Sequence, residues 1–121
     1  MLTGQIRKFE DIPEDSRLRH FPRFQPGNFE INLQLVAQVE KMAQKKGCTP
    51  AQLAINWVRT LQKHPGMPTI IPIPGATTAE RAAENSRVID LTDEEMAEID
   101  ATLAKFTTAG ERYPAQTPTN T

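Results

Sequence analysis

Cysteine is nearly missing from this chain. Cys48 stands alone among 121 residues, so no internal disulfide can form, and the usage fits a reducing compartment. A single cysteine just before a helix reads as a small packed or surface residue rather than a nucleophile. Aromatic residues are also scarce, at 6%, with one tryptophan and one tyrosine. Neither charge sign is in excess: 14 basic residues face 15 acidic ones, for a net charge of −1. That balance lacks the electrostatic footprint of a nucleic-acid or anionic-membrane binder. No apolar run has membrane-spanning length, and the N-terminus has no signal-peptide pattern. Paired-cysteine metal spacings, glycine-rich phosphate loops and serine-nucleophile elbows are missing as well. The expectation is a soluble, cytoplasmic protein with no metal, no nucleic-acid partner and no membrane partner.

What is present is mostly helical. Residues 3–28 contain Pro13, Pro22, Pro26 and Gly27 and show no periodicity, so a long irregular loop is expected there. From Asn28 as a cap, a helix over 30–46 places Leu35, Val36, Val39, Met42 and Ala43 on one face. Gly47 stands where a left-handed C-terminal cap would close it. Thr49-Pro50 with Gln52 predicts a second capped helix whose inner face is Leu53, Ala54, Trp57, Val58 and Leu61. Thr69 to Ile73, rich in isoleucine on both faces, predicts a buried strand. A third helix is expected from Thr77 or Thr78, with Glu80 completing a capping box with Thr77. A fourth starts at Thr92 with Glu95 in the box, and its stripe is Met96, Ile99, Leu103 and Phe106. From Thr107 the Thr/Pro-rich sequence predicts a flexible tail over 107–121.

One strand without a partner is an incomplete structure, because its backbone donors and acceptors have nowhere to go. Truncation from a longer chain is the preferred explanation, and a partner chain that supplies the sheet is the other.

The stretch "TIIPIPGATTAERAAEN" from Thr69 to Asn85 carries the chemistry. A glycine turn leads into a helix N-terminus, whose unpaired N–H groups and positive dipole end suit a phosphate. Arg81, one turn in, can turn a forked guanidinium toward it. Glu84 and Asn85, another turn along, can meet a base edge. The simpler alternative is a plain capped helix with Arg81 paired to a carboxylate, and spacing does not choose between them.

These residues also resemble a family. "LTGQIRKFEDIPEDSRLRHFPRFQPGNF", "KKGCTPAQLAINWV" and "IIPIPGATTAERAAEN" are similar to the C-terminal third of an aldo-keto reductase, nearest the fungal pyridoxal-reductase-like branch. The resemblance covers Leu2 to about Phe106. It implies an α/β fold, a C-terminal fragment of a (β/α)8 barrel with its last strand at Ile70 to Ile73, and an aldo-keto reductase domain over 1–106. It implies NADPH as cofactor and reduction of an aldehyde or ketone, with pyridoxal a candidate. Gly75, Ala76 and Thr77 would lie along the adenosine ribose and its 2′-phosphate, Thr78 and Arg81 would serve that phosphate, and Glu84 and Asn85 would contact the adenine. Leu2 and Gly4 would end the loop over the pyrophosphate. Many relatives carry a lysine or serine near Gly75-Ala76; here Arg81 is the main side-chain cation. The family's catalytic Asp, Tyr, Lys and His have no match: Tyr113 lies in the tail, His20 in the loop and His64 in a turn. No catalytic residue is assigned, and the isolated chain is expected to be inactive.

"RLRHFPRF", Arg17 to Phe24, interleaves arginines with aromatics as a single-strand binder would. Acidic neighbours and the acidic balance favour a barrel loop near substrate or cofactor. The rival functional classes are a non-catalytic helical interaction module and a truncated gene product without independent function.

Overall fold

The computed structural model describes residues 1–117; the last four residues of the expected flexible tail, 118–121, lie outside them. The chain opens with a long irregular segment containing three short 3-10 turns, at Phe9–Asp11, Arg17–His20 and Pro22–Phe24. Four α-helices follow: α1 (Asn28–Lys46), α2 (Pro50–Thr60), α3 (Ala79–Ser86) and α4 (Asp93–Ala104). A further 3-10 turn, Leu61–Lys63, extends α2.

Local chemistry explains the helix boundaries. Gly27, rather than Asn28, caps α1, and Asn28 is its first residue. Gly47 adopts φ 74°, ψ 37° and donates its N–H back to α1, a left-handed closure that costs a glycine little. Thr49 accepts from the Gln52 N–H while the Gln52 side chain accepts from the Thr49 N–H, the reciprocal box expected of that sequence. Thr92 and Glu95 repeat the device at α4. At α3 the cap is Thr78, whose hydroxyl accepts from the Arg81 N–H; no box forms between Thr77 and Glu80.

The main core gathers Ala43 of α1, Leu53 of α2, Leu91, and Met96 and Ile99 of α4. Val39, Met42, Trp57, Leu61 and Leu103 pack around it, as does half-buried Cys48. Burial pushes the Cys48 thiol up, which suits a packing role. A second apolar centre lies under the N-terminal segment, where Ile12, Phe29 and Val36 are buried and Phe24 meets Phe29 at 5.7 Å.

The expected strand at Thr69 to Ile73 does not form. Among the described residues there is no strand for it to pair with, so this stretch is irregular chain. Ile71 is 79% exposed and Ile73 92% exposed. The Ile70 N–H reaches only the Gln62 side chain, at 3.4 Å. The residue types demand a buried ladder, and a ladder needs two chains' worth of backbone.

The second face of α2 is polar and buried. Gln52, Asn56 and Thr60 recur every four residues, and Asn56 is 1% exposed. Its Nδ2 donates to the carbonyls of Gln52 (2.9 Å) and Arg87 (3.0 Å). Its Oδ1 accepts from the Ile89 N–H (3.0 Å) and Arg59 Nε (3.1 Å). The segment joining α3 to α4 is thereby fixed along α2.

Two outcomes follow from this packing. Asn56→Leu keeps the bulk but strips partners from buried backbone groups, so urea unfolding followed by circular dichroism is expected to show a loss of about 1–3 kcal/mol. Glu95 also titrates: the hydrogen bond from Lys46 (2.8 Å), then that from the Thr92 N–H, holds its carboxyl below the ordinary value of 4.5. A carboxyl lowered in the folded state stabilises fully above that ordinary value and loses its effect as pH falls through the folded one. Stability measured from pH 7 to pH 3 is therefore expected to fall on the acid side. Glu95→Gln is expected to flatten that fall by about 0.2–1 kcal/mol, the scale of a surface pair.

Candidate functional site

Residues 75–85 fold onto themselves. Thr78 stops the incoming chain and starts α3. About two turns later, Asn85 donates its Nδ2 to the Gly75 carbonyl at 3.2 Å, closing the loop Gly75–Ala76–Thr77–Thr78 over the side of the helix. The α3 N-terminus, Arg81, Glu84 and Asn85 therefore belong to one small unit. Gly75, Ala76, Thr77 and Thr78 are exposed, while Arg81, Glu84 and Asn85 are half-buried.

Gly75 does not occupy a left-handed conformation, and a Cβ there would meet open space. A tight exit from a strand is thus not its reason. Neither backbone conformation nor a close neighbour requires a glycine at this position.

The guanidinium of Arg81 makes no hydrogen bond or ion pair among the described residues, whose four salt bridges use Arg7, Lys45, Lys46 and Arg59. The alternative of an Arg81 already paired to a carboxylate is therefore not what the structure contains. Glu84 is held from behind: Thr49 donates its hydroxyl to Glu84 Oε1 at 2.8 Å, and Gln52 Nε2 donates to the Glu84 carbonyl at 3.1 Å. The box that starts α2 therefore also braces α3. Thr49 and Gln52 were legible as a helix cap; nothing in the sequence pairs them with Glu84, which lies more than thirty residues on.

Beside this unit lies an open cleft of about 330 Å³ between α2 and α3. Asn56 and Arg59 of α2, Pro72, Pro74 and Ala76 of the incoming chain, and Asn85 line parts of it. Arg59 is engaged, donating to the Ile89 carbonyl and to Asp90, both at 3.1 Å. Its guanidinium holds the Asp90 carboxyl below the usual range, through hydrogen bond first and charge second.

Leu2 and Gly4 sit elsewhere. Leu2 lines an apolar groove with Leu35, Val39, Leu53, Ala54 and Trp57, on a different set of α2 residues from those lining the cleft. Gly4, at φ 70°, closes a turn onto the Met1 carbonyl, and a Cβ there would come within 3.0 Å of the Glu40 carboxylate. These two residues are not joined to the 75–85 unit by any hydrogen bond among the described residues.

The arginine-aromatic stretch is largely self-satisfied. Arg19 donates to the Ile12 carbonyl from Nε (3.0 Å) and Nη2 (2.7 Å) and lies 4.9 Å over the Phe9 ring. Arg23 Nε donates to the Gly110 carbonyl at 3.3 Å. Tyr113 packs its ring 6.1 Å from Phe21. No helix among the described residues is long and apolar enough to cross a membrane.

Comparison with known proteins identifies the family. A family model described as "Aldo/keto reductase family" matches residues 1–104. The chain is 35% identical over 122 aligned positions to the "Probable pyridoxal reductase 2" of Schizosaccharomyces pombe (strain 972), an alignment that takes in 96% of this chain. The chain spans 35% of that relative's length, about a third. No solved structure matches it. With its family model covering all four helices and the loop between α2 and α3, the chain belongs to the aldo/keto reductase family.

Proposed function

We propose that this chain forms the C-terminal part of a nicotinamide-dependent carbonyl reductase of the pyridoxal-reductase type, and that it carries the adenosine end of an NADPH site. The observation that carries the reading is the unpaired Arg81 guanidinium beside a helix N-terminus. A helix start offers unpaired N–H groups and a positive dipole end, and a free arginine adds a forked donor, so a phosphate monoester fits both. The 2′-phosphate of NADPH is such a group, and NADH lacks it. On this reading Gly75, Ala76 and Thr77 flank the ribose, Thr78 and Arg81 meet the phosphate, and Glu84 and Asn85 face the adenine. Thr49 occupies one Glu84 oxygen and leaves the other for a base amine.

The family folds as a (β/α)8 barrel, with phosphate sites characteristically near its last strands. Exposed Ile71 and Ile73 are the residues such a barrel would cover as its eighth strand. The segment from Leu2 to Phe29 would then cover part of the cofactor. When bound, the nicotinamide supplies hydride to a carbonyl; this chain's own share is to hold the far end of the dinucleotide. Proton donation would come from groups outside this chain, since its lone tyrosine, Tyr113, packs against Phe21. We place the complete reductase in the cytoplasm, acting on a small aldehyde or ketone, with pyridoxal the leading candidate because the named relative carries that substrate in its name.

Titrating the chain with NADPH and NADH separately, followed by ligand fluorescence, tests the cofactor reading. NADPH is expected to bind more tightly, and Arg81→Ala to weaken NADPH about 10-fold or more while leaving NADH unchanged. That factor is the scale of one lost charge-assisted hydrogen bond. Equal binding of the two cofactors by the unaltered chain would refute the reading. The pure chain is also expected to give no NADPH oxidation with pyridoxal, and measurable turnover would overturn the assignment of the proton donor to groups outside it.

A further inference from the structure

The proline-rich start and the Thr/Pro-rich end of the chain meet at one buried side chain. Asn32, 2% exposed in the second turn of α1, donates Nδ2 to the Arg23 carbonyl (3.1 Å) and to the Ala109 carbonyl (2.9 Å). Its Oδ1 accepts from the Ala109 N–H (2.9 Å). One carboxamide thus holds a backbone group of the loop and both backbone groups of Ala109, 77 residues away. Three further contacts follow the same path. Arg23 Nε donates to the Gly110 carbonyl. Tyr113 lies on Phe21. Asn28 Nδ2 donates to the Pro22 carbonyl at 3.0 Å, fixing the loop against the start of α1.

Gly110 shows how close the approach is. It sits at φ 81°, and a Cβ there would lie 2.8 Å from Asn28 Nδ2 and 2.9 Å from the Pro22 carbonyl carbon and oxygen. Any side chain would therefore lift this segment off the loop and strain its backbone. Arg23, Phe24 and Asn32, with Phe106 and Thr108 at the root of the C-terminal segment, line one largely apolar cavity of about 280 Å³.

We propose that residues 109–113 are a strap latched by Asn32, which holds the loop Arg17–Gln25 closed over that cavity, so that strap and loop open together. The backbone hydrogen bonds inside the loop are short-range 3-10 bonds, such as Phe21 N–H to Leu18 O and Gln25 N–H to Pro22 O, and the Gln25 side chain adds a donation to the Arg19 carbonyl at 2.6 Å. Such turns have poor hydrogen-bond geometry and little stability of their own. Their position is therefore set from outside: Arg19 ties the first half of the loop to Ile12, and the contacts at Phe21, Pro22 and Arg23 come from the strap, Asn28 and Asn32. A polar segment with few apolar anchors belongs to the low-stability end of a structure, which is what allows a latch to release. The inference concerns the chain without cofactor and stands apart from the NADPH reading.

The test is hydrogen exchange by mass spectrometry on the full chain, with the Phe21–Tyr113 ring contact followed by nuclear Overhauser effects. Two variants act on the latch independently. Asn32→Asp removes the two Nδ2 donations and keeps an acceptor for the Ala109 N–H. Gly110→Ala leaves Asn32 intact and forces the strap away. Both are expected to speed exchange across residues 17–25 about 10-fold or more and to abolish the ring contact, with α2 and α4 exchange unchanged. Any of three results overturns the proposal. The first is loss of the ring contact with loop exchange unchanged, and the second is no change in either. The third is acceleration spread equally over α2 and α4, which would make Asn32 a general stabiliser rather than a latch.

Discussion

The buried carboxamide of Asn56 satisfies two backbone groups of the segment that leads from α3 to α4, and much of the C-terminal half depends on that contact. α3 buries no residue of its own and so has little hydrophobic reason to stay in place. It is held instead by polar contacts from α2: Thr49 and Gln52 at its Glu84, Asn56 just past its end, and Arg59 further along at Ile89 and Asp90. An arrangement of this kind orients a helix that has no buried apolar face to orient it. Apolar packing tolerates sliding and repacking, whereas directional bonds from four side chains of one helix, two of them at Glu84 and the rest just beyond α3, restrict both position and rotation. The opposite face of α2 packs into the apolar cluster with α1 and α4, so α2 is the element through which the core reaches the candidate site.

The sequence was most informative where one local interaction decides the outcome. The boxes at Thr49 and Thr92 and the left-handed Gly47 each need only a few neighbouring residues, and each is found where those residues predict it. It was least informative where a residue's role depends on a distant partner. Gln52, Asn56 and Thr60 repeat every fourth position, a visible stripe, yet the apolar residues between them drew attention to the other face. Asn32 lies inside an otherwise amphipathic helix and gives no local sign of its partner 77 residues on. The isoleucine run shows the same limit in reverse: its composition belongs to a buried strand, but composition cannot supply the neighbour that makes one.

The candidate site divides along the same line. Thr78, Arg81, Glu84 and Asn85 are close in sequence, fall on successive turns of one helix, and are found as one unit with Gly75. Leu2 and Gly4 entered through family resemblance, and Leu2 lies against a different set of α2 residues from those lining the cleft. Gly75 is the instructive residue. Its presence was legible, but the reason expected for it is not found: the backbone there makes no demand for glycine, and no neighbour crowds the place of a Cβ.

The exposed isoleucine segment has two unequal sides. In an extended chain, the backbone groups of alternate residues point to opposite edges. Thr69, Ile71 and Ile73 would present complete donor and acceptor pairs along one edge. Ile70, Pro72 and Pro74 would present the other, where two of the three residues have no N–H to give. An incoming strand would thus dock far more readily on the first edge than on the second. In an extended ribbon the prolines would thus act as a polarity mark, with the full set of donors on one edge and a depleted set on the other.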